Sequence, residues 1–178
     1  MNDMNSVSGP RFYGKYRGTV VNNLDPEQRA RLTCLVPDVL GLVPSSWAEA
    51  CAPLAGPSGT GMGAYFVPPV GAKVWVEFEQ GDPNYPVWTG CRFEQGEIPP
   101  LARAGVPAAP SIVLQTAGQN VLAISDAPGP AGGLMLKSAT GVSLIVNDTG
   151  IYLQNGKGAS INLVGPNVDV NNGALSVI

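Results

Sequence analysis

LMLKSATGVSLIVNDTGIYLQNGKGASINLVGPNVDVNNGALSV (134–177) is the stretch whose spacing decides the fold. Its apolar groups run Leu134/Leu136, Val142/Leu144/Val146, Ile151/Leu153, Ile161/Leu163, Val168/Val170 and Leu175/Val177. First members lie 8, 9, 10, 7 and 7 residues apart, and Gly133, Gly141, Gly150, Gly158, Gly165 and Gly173 keep nearly the same beat. Each unit therefore reads as a short strand with apolar residues on one face, closed by a Gly- or Asn-bearing corner where positive φ costs little. A repeat near eight is too short for one coil of a single-chain parallel β-helix, and no second layer follows to cover the apolar faces. Three chains around a common axis solve this, each contributing one face of a triangular prism. Leu134, Leu136, Val142, Leu144, Val146, Ile151, Leu153, Ile161, Leu163, Val168 and Val170 are then the expected trimer core. Burial is worth about 1.5–3 kcal/mol per side chain, so the stem is expected as an obligate homotrimer. The competing reading is a single-chain sandwich sheet.

Upstream, SIVLQTAGQNVLAISDAPG (111–129) holds the more widely spaced pairs Ile112/Leu114 and Leu122/Ile124, expected as a hairpin-like base before the turn PGPAGG (128–133). GEIPPLARAGVPAAPS (96–111) has no periodicity and is dense in Pro, Ala and Gly, so it reads as an extended linker. The expected divisions are an N-terminal extension 1–12, a collar domain 13–95, a linker 96–110 and a spike 111–178.

Within the collar, Leu32, Cys34 and Val36 alternate with Arg31, Thr33 and Leu35, and Val74, Val76 and Phe78 alternate with Lys73, Trp75, Glu77 and Glu79. Strands are expected over 13–23, 30–40, 47–56, 63–69, 73–82 and 86–93, with no good helix among them. Such spacing suggests a small closed barrel or sandwich. The fold class expected for the whole chain is all-β.

Composition agrees. The 178 residues include 23 Gly and 17 Pro, are 44% hydrophobic and only 13% charged, which excludes long helices and disorder alike. A net charge of −3 argues against a nucleic-acid partner. The basic residues Arg11, Lys15, Arg17, Arg29 and Arg31 are scattered and offset by Asp25, Glu27 and Asp38, and Trp47, Trp75 and Trp88 read as barrel or trimer contacts. Histidine is absent, which removes Ser–His triads and His-ligated metal sites. No catalytic, cofactor-binding or metal residue is assigned. Glu77, Glu79 and Asp82 form an acidic cluster read as an exposed or docking face, and GPSGTGMGAY (56–65) lacks the Lys-Ser/Thr ending of a phosphate loop. Asp126, Asp148 and Asp169 are placed near corners, solubilising the shaft. Cys34, Cys51 and Cys91 are odd in number, lack CxxC spacing and read as small buried hydrophobes. The N-terminus shows neither the cationic stretch nor the apolar core of a secretory signal.

Four motifs then stand in order. G-x-V-x-N-N-x-D-P occurs within YGKYRGTVVNNLDPEQRARLTCLVPDV (13–39), and W-A-x-A-x-x-P-x-A-G within WAEACAPLAG (47–56). P-P-x-G-x-x-V-x-V-x-F and G-D-P-x-x-P-V follow within FVPPVGAKVWVEFEQGDPNYPVWTG (66–90). Together these resemble the OB-fold domain of the phage baseplate assembly protein V family. GKGASINLVGPNVDVNNGALSVI (156–178) is similar to the β-helical spike tail of the same family.

The resemblance implies an N-terminal OB-fold barrel followed by an intertwined homotrimeric, triple-stranded β-helix needle. It implies a structural, non-enzymatic central spike of a contractile phage tail or phage-like injection apparatus, without cofactors. The collar would dock on a baseplate hub protein, and the needle would transiently pierce the target membrane on sheath contraction. The particle would be a virion or an extracellular contractile assembly, built in the producing cell's cytoplasm. Some members of the wider group carry a lysozyme domain between collar and needle, for which the short linker has no room. Others end in a histidine-ligated iron site, which a chain without histidine cannot form. Here the apolar beat runs on to Leu175, Val177 and Ile178, the expected contact for a PAAR-type tip protein. A short trimeric fibre binding a cell-surface glycan is the alternative. It would call for exposed aromatics on the repeats, and Tyr152 is the one aromatic between 104 and 178. A capsule depolymerase comes third, with no acid pair at a groove.

Overall fold

A computed structural model describes residues 9–57, 59, 61–104 and 111–177. The chain forms two compact units, Met1–Gly96 and Glu97–Ile178.

The first unit is a curled sheet. Its strands are β1 (Tyr16–Asn22), β2 (Thr33–Leu35), β3 (Glu49–Ala50), β4 (Lys73–Phe78) and β5 (Pro86–Cys91), paired in the order β2-β1-β4-β5-β3. Alternation drives the burial: Val74, Val76 and Phe78 of β4 point inward, and Leu32, Cys34 and Val36 join them from the β2 segment. With Val20, Ala48 and Trp88 they make the core, and the Trp88 indole N–H donates to the Ala30 carbonyl at 2.9 Å. Two register shifts, between Val20 and Asn22 and between Trp75 and Val76, bend the strands. The two sheet edges approach so closely that Leu32 and Ala48 exchange both backbone hydrogen bonds, at 3.1 and 2.7 Å. The ladders are otherwise those of one open curled sheet rather than two facing ones.

Three local expectations are corrected. The segment expected as strand over 30–40 ends in a one-turn helix, α1 (Pro37–Leu40), because Pro37 opens the turn where its missing N–H is not needed and Asp38 lies in the first turn. The segment 47–56 pairs only at β3, and 63–69 carries no named strand, since Pro68 and Pro69 withhold ladder donors. Of the cysteines only Cys34 is buried, whereas Cys51 and Cys91 are exposed.

In the second unit, Pro99 and Pro100 initiate a helical turn, α2 (Pro100–Ala104), where an extended linker was expected; Leu101, Ala102 and Arg103 favour helix once Pro has set the first φ. Residues 105–110 lie outside the described residues. Eight strands follow: β6 (Ser111–Gln115), β7 (Val121–Ser125), β8 (Gly133–Lys137), β9 (Val142–Asn147), β10 (Gly150–Asn155), β11 (Ser160–Val164), β12 (Asn167–Val170) and β13 (Leu175–Val177). Each pairs antiparallel with the next, so one chain makes a single meander in sequence order.

Candidate functional site

The register of the meander lines up the apolar residues of every strand. One row runs Ile112, Ile124, Leu134, Val146, Ile151, Leu163, Val168, Val177, each directly opposite the next. The second runs Leu114, Leu122, Leu136, Leu144, Leu153, Ile161, Val170, Leu175 in the same way. Both rows lie on one face. Twelve of these sixteen side chains are more than a third exposed, from 36% at Leu163 to 63% at Ile112, and the other four are half-buried. Cross-strand aliphatic pairs stabilise a sheet, but an apolar stripe across eight strands left to water marks an interaction surface. Val142 lies outside the two rows, opposite Asn155, and Ile178 lies outside the described residues.

The opposite face changes character along the meander. Its central column reads Val113, Ala123, Met135, Ile145, Tyr152, Asn162, Asp169, from apolar near α2 to polar near β13. A cavity of about 280 Å³ opens on this face over the first three strands, bounded by Leu101, Val113, Ala123, Met135 and Pro130. Asp169 is therefore not a corner residue. It sits mid-strand facing Asn162, and each of the two has a buried side-chain oxygen without a partner. Asp148 is at a corner as expected, where its carboxylate accepts from the Gly129 N–H at 3.0 Å. Tyr152 is half-buried with its hydroxyl on Thr149, which leaves no aromatic platform on the described repeats.

The corners hold the register. The Asn147 side-chain oxygen accepts from the backbone N–H of Thr149 and Gly150 at 2.9 and 3.2 Å, and that of Asn155 from Lys157 and Ala159 at 2.8 and 3.0 Å. Asparagine thus acts mainly as a turn staple, and positive φ among these residues is confined to Asn171 and Asn172. Gly133 and Gly150 have a second reason beside their positive φ: a Cβ there would run into the carbonyls of Val146 and Leu163 on the neighbouring strands.

On the first unit many charges form ion pairs. Arg31 grips Asp25 through its Nε and guanidinium Nη2, and Asp25 also accepts from the backbone N–H groups of Glu27, Arg29 and Arg31. This Arg31 bond, seconded by the backbone donors, holds the Asp25 carboxyl well below the usual carboxylate range. Lys15 meets Glu77 at 2.8 Å and Arg11 meets Asp82 at 3.5 Å. Two members of the acidic cluster, Glu77 and Asp82, are therefore each held by a separate base. Among the described residues no group of three or more His, Cys, Asp or Glu is placed to hold a metal ion.

Residues 111–176 match the family described as the phage baseplate V C-terminal trimerisation domain. Residues 16–93 match the type VI secretion system/phage-baseplate injector OB domain. The chain belongs to the phage baseplate V family. No curated protein matches it individually. Family membership makes it a structural spike protein of the injector type rather than an enzyme, with an OB domain and a trimerisation domain acting in the baseplate. The four motifs quoted above all fall within the OB match, and both apolar rows fall almost wholly within the trimerisation match. Sequence spacing found the teeth of the rows but not their two-column alignment or the asparagine staples.

Proposed function

We propose that the chain is the central needle of a contractile tail or related injection apparatus, working as a homotrimer. Three copies of the meander pack their apolar faces together as an intertwined β-helix. Leu134, Leu136, Val142, Leu144, Val146, Ile151, Leu153, Ile161, Leu163, Val168 and Val170 meet in its interior. The observation that carries this reading is the pair of uncovered apolar rows spanning all eight strands. Residues 13–95 form a collar whose curled sheet closes into a barrel and docks on a hub protein, 96–110 connect it, and 111–178 form the spike. Leu175, Val177 and Ile178 make the apolar contact with a PAAR-type tip protein. Assembly takes place in the producing cell's cytoplasm, before the particle is released.

The geometry suits puncture. Three faces joined around an axis leave no lateral sheet edge, and local bending would break many hydrogen bonds together. The work comes from the sheath, while the needle supplies stiffness and transiently pierces the target membrane. The test is the mass of the purified chain by light scattering, beside a version truncated after residue 110. The full chain is expected at about 55 kDa, three times 18.4 kDa, with association lost on truncation. A compact full-length monomer would overturn the needle.

A further inference from the structure

From Ala50 to Ala72 the chain carries no Asp, Glu, Lys or Arg, although most of its charges lie in the first 103 residues. Both ends of this stretch are tied to the curled sheet. The Cys51 N–H donates to the Trp88 carbonyl at 3.0 Å, Val67 packs on the core, and the Gly71 N–H donates to the Val20 carbonyl at 2.8 Å. Between the ties, residues 54–56 and 62–64 pair with each other away from the named strands of the sheet. Ala55 bridges Gly63, the Gly56 N–H donates to the Met62 carbonyl, and the Ala64 N–H donates to the Leu54 carbonyl. Leu54, Met62, Tyr65 and Phe66 are each more than half exposed, as is Val70 beyond them. The core of the unit is complete without them.

We infer that Leu54, Met62, Tyr65, Phe66 and Val70 form a contact between copies of this chain, packing against the collar unit of a neighbouring chain in the trimer. The inference rests on the trimeric reading above. Composition points to an apolar counter-surface: the stretch carries no charge, whereas Leu24, another exposed apolar side chain of the unit, stands beside Asp25 in sequence. Interface centres are depleted in charge and enriched in Tyr, Phe and Met. Area points to a second copy rather than a separately diffusing partner. Five side chains at this exposure present on the order of 500 Å², short of the roughly 800 Å² per partner of a free-standing complex. Chains already joined through their shafts present one collar to another at an effective concentration of about millimolar, where so small a patch suffices.

A photo-crosslinking residue, p-benzoyl-phenylalanine, placed at Phe66 in the full chain tests this with no other protein present. Light scattering of the same sample reports whether the trimer forms. The expected result is a trimer by mass together with covalent dimers and trimers on a denaturing gel. The same probe at exposed Arg17 should leave monomers, and Tyr65→Asp/Phe66→Asp should reduce the Phe66-region crosslink, read from Met62, at least tenfold at unchanged mass. A trimer by mass with no interchain adduct from Phe66 would overturn this contact while leaving the trimer standing, and crosslinking only after a hub protein is added would assign the patch to that partner. A monomer by mass would overturn the trimeric reading and this inference with it.

Discussion

Both units are built from short alternating strands, yet they treat their apolar faces in opposite ways. The first buries its own: Val20, Leu32, Cys34, Val36, Ala48, Val74 and Val76 are at most 1% exposed. In the second, Ala127 is the single buried hydrophobic among the described residues. The difference lies in curvature. Two register shifts bend the first sheet until its edges meet at Leu32 and Ala48. The described ladders of the second run through eight strands without such a shift. A sheet that does not curl cannot cover its own face, and in the trimer proposed above its stability becomes inseparable from association.

The sharpest way to break this contrast is to charge the stripe. Leu144→Asp with Leu153→Asp places two carboxylates opposite each other at the centre of one row. Burying unpaired charge costs several kcal/mol, so light scattering should show loss of the trimer while tryptophan fluorescence, which comes from Trp47, Trp75 and Trp88 of the first unit, is unchanged. A trimer that survives would mean the rows are not the buried face. Next in size is Gly150→Ala, whose Cβ meets the Leu163 carbonyl from a backbone at φ 154°. It should destabilise the second unit by more than about 1 kcal/mol, whereas Gly118→Ala, whose Cβ would meet its neighbours only at ordinary contact distances, should cost less in the same thermal scan.

The first unit should answer to its own electrostatics. Asp25 is held below its ordinary range, so its contribution to stability is complete at neutral pH. It declines as pH falls through the carboxylate range and is gone below the folded-state value. Asp25→Asn should lower the unit's thermal midpoint by roughly 5 °C at pH 7, and the difference from wild type should shrink on acidification. Shaft association should be unmoved. The smallest effect is alkaline. Burial raises the Cys34 thiol from 9.0 to about 11, so the unfolded chain loses this proton first and stability should fall between those values. Cys34→Ala should flatten that slope in denaturant titrations across the range.

Sequence reading reached the first unit's core because Leu32, Cys34 and Val36, and Val74, Val76 and Phe78, alternate without interruption. It missed α1, where one proline reversed a strand expectation locally, and it overextended the strands around Pro53 and Pro68, where ladder donors run out. In the second unit the beat of apolar pairs marked every strand from β8 onward. Asp169 was misplaced because a seven-residue spacing does not say which residues form the turn.

What the sequence determined by itself was periodicity: short strands, apolar on one face, turned by Gly and Asn, after a collar with recognisable motifs. Strand alternation is a local property, encoded residue by residue. Tertiary structure decided which residues face one another, and therefore that sixteen aliphatic side chains fall into two unbroken rows. It also decided that one sheet curls onto its own apolar face while the other leaves that face uncovered by its own chain. Those outcomes depend on register and bulges, which arise only when strands distant in sequence exchange hydrogen bonds.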